Sequence, residues 1–287
     1  MATTRVRAVA NGVAFFRVER GNPTSWTEKQ LQDAINFLIE SGRDPTVEAI
    51  ALTGPLLFTN NPDHQAEPTD MAGLLAAIAD HALPVVALIP GHARGPGLEL
   101  ALACRHRIAT HAARLSFPQV TRGLLPGNGG VERLVRLVGV SRAAELALFG
   151  KVASGATALA MGLVDAVVED DLEGAVLPLV RRHPRAERPL DANWPRLLAA
   201  VREEARQRRP GQDAPVAAAQ AMEHALRWPL PRAMAETRKL AEGLAKSEQA
   251  AALRHAAEGE ARVAGDLGAG SGGRWGNRGR DRCAVAG

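Results

Sequence analysis

Residues 83–110 read LPVVALIPGHARGPGLELALACRHRIAT, and the order of elements in this stretch decides the fold. Val85 to Ile89 is an unbroken apolar run of strand length, ended by Pro90 and Gly91. From Gly95 the chain turns into a second apolar run, Gly97 to Cys104, rich in Leu and Ala and therefore helical. His106 to Thr110 returns to a strand pattern. Apolar strands without polar alternation need both faces covered, so strand, helix, strand order predicts parallel pairing beneath helices.

The same alternation extends outward. Val13 to Glu19 and Val47 to Thr53 read as strands, separated by the turn Asn22-Pro23-Thr24 and an amphipathic helix from Thr27 to Ser41. A further helix, Asp70 to His81, precedes the central strand. Downstream, Ser116 to Asn128 reads as a loop, Val131–Leu137, Ser141–Phe149 and Ala153–Met161 as helices, and Val164–Glu169 as a terminal strand. Beyond Asp171 the pattern becomes Ala-rich, charged and helical, broken at Pro210-Gly211 and again at Trp228-Pro229. This predicts an α/β core over 1–195, a helical region over 196–264, and a mobile Gly/Arg-rich tail over 265–287.

Composition narrows the function. With 46% hydrophobic and 23% charged residues, the chain is expected to fold over most of its length. Aromatics are only 3% and tyrosine is absent, which argues against base stacking, and no nucleic-acid-binding signature occurs despite the net charge of +4. The arginine clusters after Val180 read as solvated helix faces. The two cysteines, Cys104 and Cys283, offer neither a disulfide framework nor a zinc spacing, and His64, His92, His106 and His111 fit no metal pattern. No leader-like N-terminus or membrane-length apolar run is seen, so a cytoplasmic protein without membrane partners is expected.

The segment from Leu83 to Val168, including FPQVTRGLLPGNGGVERLVRLVG and closing with GLVDAVVE, resembles the central signature of the crotonase (enoyl-CoA hydratase/isomerase) superfamily. Upstream, GPLLFTNNPD stands where that family has its first oxyanion loop. Residues Arg206 to Arg262 resemble the C-terminal helices of the hydratase/isomerase part of multifunctional β-oxidation enzymes. The resemblance implies an α/β fold of the crotonase type, a superhelix of ββα turns with a C-terminal α-helical trimerisation region. It also implies an acyl-CoA thioester as ligand, with coenzyme A belonging to the substrate and no separate cofactor, and a homotrimer or dimer of trimers.

Carried over residue by residue, the resemblance makes Glu99 the first catalytic carboxylate. A plain helix-start acid favoured by the macrodipole would stand at the same place, but the apolar neighbours Leu98, Leu100, Ala101 and Leu102 argue for the catalytic role. Gln119 falls where hydratases carry the second glutamate; an amide can orient water or substrate but cannot exchange a proton near neutral pH. Glu132 is either a substitute for it or a helix-start residue. Pro62 and Pro96 occupy the two oxyanion-hole positions, and proline has no N–H. Gly97 is the candidate replacement for one donor and the Asn60 and Asn61 amides for the other, with Asp63 structural or close to the coenzyme. Three functions follow: an enoyl-CoA hydratase/isomerase-like enzyme, a non-catalytic or impaired thioester-binding homologue, and a hydrolase of non-CoA carbonyl compounds of the diketone type.

Overall fold

The computed structural model of the chain describes residues 4–18, 27–54, 71–182, 191–257 and 259. Strands β1 (Thr4–Ala10) and β2 (Val13–Val18) form an antiparallel hairpin closed by Asn11 and Gly12, both at positive φ (52° and 81°). An Asn-Gly pair suits this two-residue turn, because both central positions need the left-handed region. Strand β1 is absent from the sequence-based expectation. Helix α1 (Glu28–Ser41) begins at a capping box in which Thr27 and Gln30 satisfy each other's backbone N–H. It is followed by β3 (Ala49–Thr53), α2 (Ala72–Ala79) and β4 (Val85–Ile89).

From β4 onward two sheets are fed in turn. The chain runs through β5 (His92–Arg94), α3 (Pro96–Ala103), β6 (His106–Thr110), β7 (Arg114–Ser116) and a 3-10 turn at Pro118–Arg122. Helices α4 (Gly130–Val138) and α5 (Val140–Ala147) precede β8 (Ala153–Ser154), α6 (Gly155–Met161) and β9 (Ala166–Val168). The main sheet has the order β1-β2-β3-β4-β6-β9, parallel except for the first hairpin, and the small sheet has the order β5-β7-β8. From β4 onward the chain alternates between the sheets, β4 and β5 before α3 and β6 and β7 before α4, in keeping with the ββα spiral that the family resemblance implies. The small sheet itself was not foreseen. Residues 153–154, expected to be helical, pair with β7, and the Ser154 hydroxyl caps α6 by accepting the Thr157 N–H.

Strands β3, β4 and β6 are buried along their whole length. Because successive side chains point to opposite faces, their apolar runs divide between two cores. Ile50, Leu52, Val85, Ala87 and Ile89 pack beneath the helices of the main core, whereas Ala49, Ala51, Val86 and Leu88 pack under α7 (Val176–Arg182) through Val176 and Leu179. Helices α8 (Trp194–Arg208), α9 (Asp213–Arg227) and α10 (Leu230–Ala245) follow, separated near Pro210-Gly211 and Trp228-Pro229. They share the main core rather than forming a separate layer: Leu198, Val201, Ala218, Met222 and Leu244 join the same cluster as Leu134 and Phe117. The tail expected over 265–287 lies outside the described residues. Among the described residues no helix is long and apolar enough to cross a membrane.

Candidate active site

The site grows from the junction of β5 and α3. Gly95 donates its N–H to Ser116 C=O (3.0 Å) and bends the chain at φ 50° into α3, with Pro96 as the first helical residue. Proline at that position costs nothing to the helix, because its N–H would have no intrahelical partner. The first turn closes when the Glu99 N–H donates to Gly95 C=O at 3.0 Å. Among the described residues the Gly97 N–H has no backbone acceptor, so a donor is left at a helix N-terminus one residue beyond the proline.

Glu99 points into the protein and is 1% exposed. Its Oε1 accepts the N–H of Asn128 (2.8 Å) and of Gly130 (3.3 Å), and its Oε2 accepts the Asn128 side-chain amide at 3.2 Å. Burial raises the Glu99 pKa above the usual carboxylate range, while the Asn128 and Gly130 donors and the nearby Arg133 charge act in the opposite sense. Arg133 is tied in turn to Asn128 C=O at 2.9 Å. A buried carboxylate held by three N–H donors, with its pKa raised by burial, is placed to accept and return a proton.

Gln119 sits in the 3-10 turn with its carboxamide against Gly95. A Cβ there would lie 2.9 Å from the amide nitrogen and push the carboxamide aside, while the positive φ is what favours glycine. The Gln119 Oε1 is buried and has no hydrogen-bond partner. The structure thus places Gln119 against Gly95, at the start of the helix that carries Pro96, Gly97 and Glu99. Pro62, Asn60, Asn61 and Asp63 lie outside the described residues. Asn128 and Arg133, which hold the Glu99 carboxylate and its surroundings, escaped the sequence reading. The signal available for Asn128 was its place in PGNGG, directly before a helix start. An open depression of about 440 Å³ lies at the carboxyl ends of β2, β3 and β4, beside Thr53, Gly54, Pro90 and Asp170. Glu99 does not line it. No cluster of three or more potential metal ligands occurs among the described residues.

Residues 9–190 match the family model described as Enoyl-CoA hydratase/isomerase. The chain belongs to this family. Among curated relatives, the hydratase/isomerase match extends to the Peroxisomal bifunctional enzyme of Danio rerio, 39% identical over 52% of this chain and 22% of that enzyme. The corresponding enzyme of Cavia porcellus is 35% identical over 60% of this chain and 25% of its own length. The chain thus spans about a quarter of the length of these two relatives. Among solved structures, a carnitinyl-CoA hydratase from Mycobacterium avium shares 27% identity with a TM-score of 0.58, covering 85% of this chain and 91% of that one. An enoyl-CoA hydratase/isomerase from Pseudoalteromonas atlantica T6c superposes with a TM-score of 0.62 over 88% of this chain and 96% of its own, at 21% identity, a likeness of fold. The α/β crotonase-type architecture is therefore that of the hydratase/isomerase family.

Proposed function

We propose that this family member acts on an acyl-CoA or carrier-bound thioester in the manner of an enoyl-CoA hydratase/isomerase, with Glu99 as its principal acid/base. The observation that carries the reading is the Glu99 carboxylate itself: enclosed, raised in pKa, held by Asn128 and Gly130, and located in the first turn of the helix whose N-terminus offers the Gly97 N–H. Negative charge develops on the thioester oxygen as the α carbon is deprotonated or the β carbon attacked, and fixed N–H donors stabilise it most when water is excluded. Gly97 takes the place of Pro96 as donor, and the Gln119 carboxamide, packed on Gly95, orients water or substrate rather than exchanging a proton. Asn60, Asn61 and Asp63 complete the coenzyme side, coenzyme A being part of the substrate, and assembly as a homotrimer or dimer of trimers forms part of the same proposal. Turnover of enoyl-CoA thioesters of graded chain length tests the reading, with Glu99→Gln as control. Equal rates for the two proteins would refute it.

A second reading, a thioester-binding homologue with impaired chemistry, is favoured by Pro96 and Gln119. Losing one oxyanion donor costs about 10²- to 10³-fold in rate, so an uncompensated proline is enough to silence most turnover. Calorimetric binding of an acyl-CoA without turnover, with activity gained in Pro96→Gly/Gln119→Glu, selects this alternative.

A further inference from the structure

Glu132 lies in the first turn of α4 and is fully buried at 0% exposure, yet neither carboxylate oxygen has a hydrogen-bond partner. The Thr237 hydroxyl of α10, also fully buried, has none either. Two residues earlier on the same helix start, the Gly130 N–H binds Glu99. Glu99 and Glu132 thus share one dry region in opposite circumstances, the first with three N–H donors and the second with no hydrogen bond of ordinary geometry. An ionised carboxylate without donors is costly away from water, whereas a protonated one is not. When two titratable groups in one site are pushed apart by their surroundings, the solvated or donor-rich one serves as base and the bare one keeps its proton.

From this asymmetry we propose that Glu132 is the second acid of the site, holding a proton while Glu99 is ionised, so that the pair carries one negative charge until Glu132 itself ionises. The proposal rests on Glu99 being the acid/base of the reaction, and it makes Glu132 a positioning residue that acts through Glu99. The charged groups acting on Glu132 are Glu99 from α3 and Arg133 from its own helix. Helix α10 presents the uncharged Thr237, and α9, packed along α4, buries only Ala, Pro and Met residues. Burial first, joined by repulsion from Glu99, outweighs the Thr237 hydroxyl, the Glu132 backbone N–H and the Arg133 charge, which favour the ionised form, and holds the proton on Glu132 up to about pH 7. The repulsion falls on Glu132 because Glu99, with its donors, ionises first. A carboxyl pair here also answers the loss of an acid at Gln119: one proton-bearing group remains within electrostatic reach of the base.

The test is carbon NMR of protein labelled at the glutamate carboxyls, titrated from pH 4 to 9, for the wild type, Glu132→Gln and Glu99→Gln. A resonance titrating near neutral pH and missing only in Glu132→Gln, with the Glu99 midpoint the same or lower in that variant, supports the pair. A Glu132 resonance in the ordinary carboxylate range overturns it. So does an unchanged Glu132 midpoint in Glu99→Gln, since the repulsion would then be absent. In kinetics, the wild type should show an alkaline fall of kcat/KM that vanishes in Glu132→Gln and persists in Thr237→Val. Coupled titration in a protein that turns over no enoyl thioester leaves the pair standing and refutes the assignment of the reaction, while turnover with an uncoupled Glu132 does the reverse.

Discussion

Glu99 Oε1 accepts the Asn128 backbone N–H at 2.8 Å, which locks a side chain in the first turn of α3 to the loop that leads into α4. The Asn128 side chain adds a second bond, to Oε2 at 3.2 Å, so one residue holds both oxygens. Both bonds favour the ionised form of Glu99 against the opposing effect of burial. The base is therefore defined by its neighbours on α4 as much as by its own helix.

Asn128→Ala removes only the side-chain donor. Glu99 keeps the two backbone bonds, so its position is preserved while its ionised form loses support. The acidic limb of the kcat/KM profile should move to higher pH, with the plateau rate reduced by less than about tenfold, as expected for one weak hydrogen bond to a charged group. Measurement of the profile from pH 5 to 9 decides the matter; an unmoved limb would mean that Glu99 is not the group titrating in the rate.

Stability should fall as pH rises through neutrality. The folded-state pKa of Glu132 is raised to about 7, above its unfolded value, so between those values the native state binds the proton that the unfolded state has released. The contribution is fully present below the unfolded carboxylate pKa and is lost as pH climbs through about 7. A shift of this size corresponds to roughly 3 kcal/mol. Glu132→Gln should therefore be less sensitive to pH between 5 and 8 in urea denaturation, and more stable than the wild type at pH 8. Some slope of the same sign should remain, because burial also raises Glu99.

The parts of this molecule that were legible in the sequence are those decided by local chemistry. Val85–Ile89 and His106–Thr110 match the observed strands residue for residue, and the helix expected over Gly97 to Cys104 is found one residue earlier, at Pro96–Ala103, because proline takes the first helical position. The small sheet was not legible, because β5, β7 and β8 are two or three residues long and only their pairing defines them. For the same reason Ala153 reads as the start of a helix until β7 is placed beside it. Glu99 could be found by its apolar neighbours, whereas the residues that hold it are 29 and 31 positions away and become visible only when α3 and α4 pack together. Glu132 shows the limit most clearly: its sequence context is an ordinary helix start, and its peculiarity is full burial without a hydrogen bond of ordinary geometry.

Gly130→Ala probes that packing directly. A Cβ at Gly130 would lie 2.8 Å from both Glu99 Cγ and Phe117 Cζ, two side chains that are themselves buried. Neither can retreat without disturbing the core, so overpacking should cost about 1–3 kcal/mol in chemical denaturation. Because the methyl group pushes on the base itself, kcat should fall by about 10²-fold, the usual effect of a misplacement of about 1 Å. Loss of stability with full activity would show that the Glu99 position is not critical.

Arg107 offers the sharpest test of what secures the far end of α3. It is completely buried, and its guanidinium donates to Ala101 C=O (3.2 Å), Cys104 C=O (2.8 Å) and Leu163 C=O (2.8 Å), and to the Asp165 carboxylate at 3.0 Å. One side chain thus joins the end of α3 to the segment preceding β9. Asp165 is 24% exposed and also accepts the Arg107 backbone N–H, so water and that bond still serve it when the guanidinium is removed. The three carbonyls have no such recourse. Arg107→Met should lower stability by about 3–5 kcal/mol, the range for breaking a buried ionic partner. Asp165→Asn, which retains an acceptor for the same donors, should cost less. The double variant should cost less than the sum of the two, since the charge left uncompensated in Asp165→Asn is gone once Arg107 is methionine. Urea denaturation of the four proteins gives the coupling energy, and strict additivity would mean that the carbonyl bonds, and not the ion pair, provide the anchorage.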